Sequence, residues 1–186
     1  MRLPGAAALA FCASLGLAGC LTPLQRAAAG GNFDKVRTLL NNGVAVDRTS
    51  NGYGGSPLVL AAMNGRVDVV RLLLDRGAKI ESRTTSVGLT PLMAAASRGH
   101  TEAVRLLLDS GANIEARSAS EQTALMYAVA RGKAETVRLL LERGARVDAR
   151  DRYGKSALDM AEAQRDHAAI EILRAWRASG RLAPGQ

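Results

Sequence analysis

Few residues in this chain have the types and spacing to do chemistry, and those few narrow what the chemistry could be. Of 25 basic residues 21 are arginine, set against 17 carboxylates and two histidines. Guanidinium groups stay charged and pair bidentately with carboxylates and phosphates, so they recognise anions rather than move protons. General-base work would fall to His100 or His167. His100 sits at a turn between two helices, which is a structural position. Ser56, Ser86 and Ser97 have no nucleophile-elbow context and no evident base, and no Gly-rich phosphate loop occurs. No Cys or His pair has metal-ligand spacing, and the Asp and Glu are scattered. The chain therefore reads as non-enzymatic, without metal or cofactor.

The elements that must position these side chains follow from a repeat. A Thr/Ser-x-Leu step recurs at Thr22, Ser56, Thr90, Thr123 and Ser156, with spacings of 34, 34, 33 and 33 residues. Each step is a helix start. The hydroxyl is the N-cap, and Pro23, Pro57 and Pro91 stand at the first helical position, where a missing N–H costs nothing. Small residues follow, and Gly31, Gly65, Gly99 and Gly132 end the short helix. A second helix carries Val36 with Leu39 and Leu40, and its counterparts through Val137 with Leu140 and Leu141, on one face. Gly43, Gly77, Gly111 and Gly144 end it, and an extended finger leads to the next step. A period of this size predicts a stacked array whose units bury their apolar faces against their neighbours.

The segments SPLVLAAMNGRVDVVRLLLDRGAKIE and TPLMAAASRGHTEAVRLLLDSGANIE resemble ankyrin repeats almost throughout, and the resemblance covers about residues 21 to 180. It implies an all-α solenoid of stacked helix-turn-helix units with short β-hairpin-like fingers. The family's usual His after TPL is replaced by Gln25, Val59, Met93, Met126 and Asp159, which predicts loss of a hydrogen bond at this turn. The fifth repeat has Arg165 and Arg177 at its glycine positions, and Trp176 is expected to fold over its open apolar end. Residues 181–186 are read as a flexible tail.

Residues 1–19 read as a leader: Arg2, then a short Ala/Leu-rich run ending in small residues. Leu17-Ala18-Gly19-Cys20 resembles the bacterial lipoprotein cleavage box, with Cys20 as the lipidated residue and 20–180 as the repeat domain. An ordinary cleaved signal and an N-terminal anchor remain open. Cleavage would remove Cys12, leaving one cysteine consumed by lipid and no free thiol. Leu21, in place of Asp, implies sorting to the outer membrane rather than the inner, and so the periplasmic face. Thr22 lies two residues beyond Cys20, so the first repeat should sit against the membrane and later repeats should carry the partner site.

The resemblance also implies a binding face, since partners of such arrays meet the finger tips and the exposed end of the first helix. Here those positions include Tyr53, Met63, Arg83, Arg98, Arg117, Arg131, Arg150, Arg152, Tyr153 and Lys155, of which seven are basic and none acidic. Arg37, Arg71, Arg105 and Arg138 fall on the second helix and read as a solvated outer face pairing with nearby Asp and Glu. With a net charge of +8, the expectation is a monomeric, non-catalytic module whose basic groove holds an acidic protein. A scaffold or accessory factor of the bacterial envelope fits. So does an inhibitor of the immunity type that neutralises a toxin or enzyme. Binding of anionic lipid or lipopolysaccharide headgroups is a third reading. Nucleic acid is not expected, because aromatic residues for base stacking are few.

Overall fold

The computed structural model describes residues 21–49 and 55–179. These hold ten helices and no strand: α1 (Pro23–Gly30), α2 (Phe33–Asn41), α3 (Pro57–Met63), α4 (Val67–Asp75), α5 (Pro91–Arg98), α6 (Thr101–Asp109), α7 (Ala124–Val129), α8 (Ala134–Glu142), α9 (Ala157–Gln164) and α10 (His167–Ser179). They form five pairs. Odd-numbered helices stack on odd-numbered ones and even on even, the odd row being the more closely packed through α7.

Local chemistry sets each start and stop. Thr22, Ser56, Thr90, Thr123 and Ser156 all cap their helices, each hydroxyl accepting from the amide three residues on. The odd helices pass into left-handed residues at Gly31, Gly65, Gly99 and Gly132, with φ between 63° and 77°. In the fifth repeat Arg165 adopts the same conformation, φ 57°, without glycine's freedom.

Leu24, Leu58, Leu92 and Leu125, two residues past each cap, are fully buried and form the spine of one continuous core. Burying a leucine in this way contributes about 1.5–3 kcal/mol. Ala61-Ala62 and Ala94-Ala95-Ala96 are likewise buried and let the odd helices approach closely. At the far end of the described array Leu158 is only half-buried. Trp176 packs half-buried against the core there, and an ion pair from Arg174 to Glu162 at 2.7 Å crosses from α10 to α9.

Substitution of the usual His plays out differently along the array. Gln25 keeps the hydrogen bonding: its Oε1 accepts from the Thr22 amide at 2.8 Å and its Nε2 donates to the Gly55 carbonyl at 2.9 Å, tying the first two repeats together. Asp159 closes a capping box with Ser156. Only Val59, Met93 and Met126 abandon polarity, and all three are buried.

The three fingers before the third, fourth and fifth repeats are hairpin-like turns rather than paired strands. Thr84 donates its amide to the Leu89 carbonyl, Ser118 to Gln122 and Asp151 to Lys155. Among the described residues no helix is long and apolar enough to cross a membrane.

Candidate functional site

The three fingers that precede the third, fourth and fifth repeats are built around one buried oxygen each. Thr84 Oγ1 accepts from the Leu89 amide at 2.9 Å, and Ser118 Oγ accepts from Gln122 at 3.2 Å. Asp151 is 7% exposed, and its Oδ1 accepts from the amides of Tyr153 at 2.9 Å and Lys155 at 3.0 Å. Each finger therefore has a fixed shape before it meets anything.

Two ladders join successive fingers. In the first, a carboxylate takes the amide of the next repeat: Asp47 from Lys79, Glu81 from Asn113, and Glu115 from Arg146. The second is made of arginines. Arg83 Nη1 donates to the Gly88 carbonyl of its own finger at 3.1 Å and to the Arg117 carbonyl of the next. Arg117 Nη1 repeats this, donating to Glu121 at 2.8 Å and to the Arg150 carbonyl. Arg150 ends the ladder on the Gly154 carbonyl at 2.6 Å and lies 3.8 Å from the Asp159 carboxylate. These three arginines, expected on the binding face, are struts that hold the fingers in register.

The remaining expected residues divide cleanly. Arg98, Arg131, Arg152 and Lys155 are exposed, and none of their side chains forms an ion pair or hydrogen bond among the described residues. Tyr153, at the tip of the last finger, is 75% exposed and is the one exposed large hydrophobic residue among those described. Met63 was expected at the surface but is 9% exposed, packed with Val59 and Ala94. Tyr53 and Cys20 lie outside the described residues. On the outer face Arg37 pairs with Asp34 at 2.7 Å and Arg105 with Glu102 at 4.0 Å, as expected. Arg71 and Arg138 make no such pair among the described residues.

Opposite the fingers, a second basic row runs along the turns that join the helices of each pair. Arg66, His100 and Lys133 each stand ten residues after their anchor and lie back over a glycine of the preceding repeat: Gly31, Gly65 and Gly99. A Cβ on Gly65 would fall 2.6 Å from the His100 ring, so only glycine fits beneath it. His100 Nε2 donates to the Met63 carbonyl at 3.1 Å. Burial at this seam pushes its pKa below 6.5, and the charges of Arg98, Arg66 and Lys133 act in the same direction against the opposing pull of the Met63 bond. Arg66 and Lys133, which the resemblance does not single out, carry one signal in the sequence, the ten-residue offset they share with His100.

Between the finger lip and the turn lip lies the odd-helix row, and α1, α3, α5 and α7 contain no Asp or Glu. Acidic residues return in α9, where the amide and hydroxyl of Ser156 hold the Asp159 carboxylate below its usual pKa. No group of three His, Cys, Asp or Glu that could hold a metal ion occurs among the described residues. The arrangement offers charge, shape and one aromatic anchor for recognition. Among the described residues the ring of His100 is bonded to the Met63 carbonyl rather than to a hydroxyl.

The family model described as ankyrin repeats matches residues 13–84, 54–118, 81–151 and 117–179. No curated protein matches the chain.

Proposed function

This chain belongs to the ankyrin-repeat family, whose members are in general non-catalytic protein–protein interaction modules, and we propose that it holds an acidic protein between its finger lip and its turn lip while anchored to a bacterial envelope membrane through Cys20. The observation that carries the reading is the segregation of charge. The odd-helix row of the first four repeats has no acidic residue, while Arg98, Arg131, Arg152 and Lys155 border it with side chains that form no ion pair or hydrogen bond among the described residues. Unpaired arginines and an exposed tyrosine are the residue types that dominate interface hot spots. Free cations also steer an anionic partner toward the groove.

The membrane part of the proposal rests on the leader-like residues 1–19 and on Cys20 at the end of the lipoprotein-like box. It places the array on the periplasmic side, at the outer membrane, as a scaffold or accessory factor. The Cys20→Ala chain should leave the membrane fraction; if it still fractionates with membranes, the anchoring reading fails.

The partner reading is tested by capture from solubilised membranes. Charge reversal at Arg98, Arg131 and Arg152 should abolish capture of a stoichiometric partner that the wild-type chain retains. Reversal at Arg71 and Arg105, on the outer face, should leave capture intact. Equal losses from both sets, or binding indifferent to salt, would overturn the groove assignment. A captured enzyme that keeps its activity favours the scaffold, and one that loses it favours an inhibitor.

A further inference from the structure

Arg66, Arg98, His100, Arg131 and Lys133 crowd the turn lip, and how they are held says more than their charge. At both ends of the array the equivalent of Arg66 is a residue that caps the following helix: Asn32 accepts from the Lys35 amide, and Asp166 from Ala169. In the three middle repeats a basic residue or histidine replaces it, and none of them caps its helix by its side chain. Their stems lie instead over the glycines of the neighbouring repeat. Every middle repeat thus places at least one cation on the lip, Arg66 in the second, Arg98 in the third, and Arg131 with Lys133 in the fourth, and packed helices stand about 8–10 Å apart. The row stops where Asn32 and Asp166 begin.

We propose that this lip binds a carboxylate-rich segment of an extended polypeptide, with acidic residues at every third position, and that occupancy is coupled to protonation of His100. This rests on the acidic-partner reading above and specifies where and in what register the partner sits. A polyproline II chain advances about 3.1 Å per residue with three residues per turn, so every third side chain returns to one face after about 9.3 Å. That matches the step of the lip. Regular β-strand spacing does not match it: same-face residues recur at about 6.8 or 13.6 Å.

The proton coupling follows from the surroundings of the ring. Arg66 faces it from the preceding repeat, Lys133 from the following one and Arg98 from its own turn. Glu102, two residues on, lies 4.0 Å from Arg105, and the Met63 carbonyl is the ring's hydrogen-bond partner. Three cations and no carboxylate among these influences resist a further positive charge on His100. A bound carboxylate reverses that balance, so binding draws a proton onto the ring and acid tightens binding.

The test uses two synthetic twelve-residue peptides of equal composition, one with Glu-Pro-Pro repeated four times and one with its four glutamates contiguous between prolines. Each is titrated into the full chain at low salt while the ring resonances of His100 and His167 are followed by NMR across pH. The periodic peptide should bind more tightly than the clustered one. It should raise the pKa of His100 and leave His167 unmoved, and it should bind about three- to tenfold tighter at pH 5 than at pH 8. Arg98→Glu with Arg131→Glu should abolish this, and His100→Gln should keep binding while removing its pH dependence. No His100 response at millimolar peptide overturns the proposal, as does pH dependence that survives His100→Gln. Equal binding of the two peptides that still requires Arg98 and Arg131 overturns the register alone and leaves the acidic-partner reading standing. If neither peptide binds while capture of the natural partner depends on Arg152, the lip is excluded and the groove reading survives.

Discussion

The seam between the second and third repeats can be probed at a single atom. Gly65 has φ 65°, and the Cβ of an alanine there would fall 2.6 Å from His100 Nδ1. Alanine in the left-handed region costs about 1–2 kcal/mol, offset by about 0.4–1 kcal/mol from the narrower unfolded ensemble. Displacing the ring also breaks its bond to the Met63 carbonyl, a further loss of about 0.5–1.5 kcal/mol. Gly65→Ala should therefore destabilise the array by about 1–2.5 kcal/mol. Gly77 is the control: its φ is 80° and nothing lies within 4 Å of an added Cβ, so Gly77→Ala should cost only about 0.5–1 kcal/mol. Urea unfolding, followed by far-UV circular dichroism and by the fluorescence of Trp176 in the last repeat, measures both and shows whether the loss spreads along the array. A double variant, Gly65→Ala with His100→Ala, should cost less than the sum of its parts by about 0.5–1.5 kcal/mol. Equal costs at Gly65 and Gly77, or strict additivity in the double variant, would refute the claim that the histidine dictates the glycine.

Four further outcomes follow from the same geometry. Arg165→Gly should stabilise the chain by about 0.5–1 kcal/mol, measured in urea, because it relieves a left-handed non-glycine residue at an exposed turn. Arg117→Ala removes donors from the Glu121 and Arg150 carbonyls at a half-buried position and should cost about 1 kcal/mol after allowance for solvent. Arg98→Ala should stay within about 0.5 kcal/mol of wild type. The lowered pKa of His100 sets a pH dependence: the unfolded chain takes its proton first, so this contribution is complete above pH 6.5 and is lost as pH falls below it. Titrated thermal unfolding should show that loss, and His100→Gln should flatten it.

Much of the fold is legible because its determinants are local. All five hydroxyl anchors are N-caps, since a cap needs only its own side chain and an amide three residues on. The left-handed turns were equally plain wherever glycine marks them. They were hidden at Arg165 and at Glu121, whose φ is 60° two residues before Thr123, where Gly88 and Gly154 stand in the neighbouring repeats. There tertiary packing imposes the conformation on a residue that does not advertise it. Gln25 hid its role for another reason. Its second partner is the Gly55 carbonyl, 30 residues away, and no periodicity in side-chain type encodes a carbonyl.

That last limitation governs the arginines as well. Arg83, Arg117 and Arg150 stand six or seven residues before an anchor, Arg98 and Arg131 eight after one, and by residue type the two sets look alike. What separates them is whether finger carbonyls lie within reach. Arg83 and Arg117 spend their Nη1 donors on the backbone of two successive fingers and Arg150 on that of its own, while the second set meets no acceptor among the described residues. A charge reversal at Arg150 would therefore disturb the last finger, including the shape that presents Tyr153, and any loss of binding would say nothing about contact. Reversal at Arg98, Arg131 or Arg152 removes a free charge and leaves the ladders intact. Only the second kind of substitution can distinguish a binding groove from a surface that is merely rich in arginine.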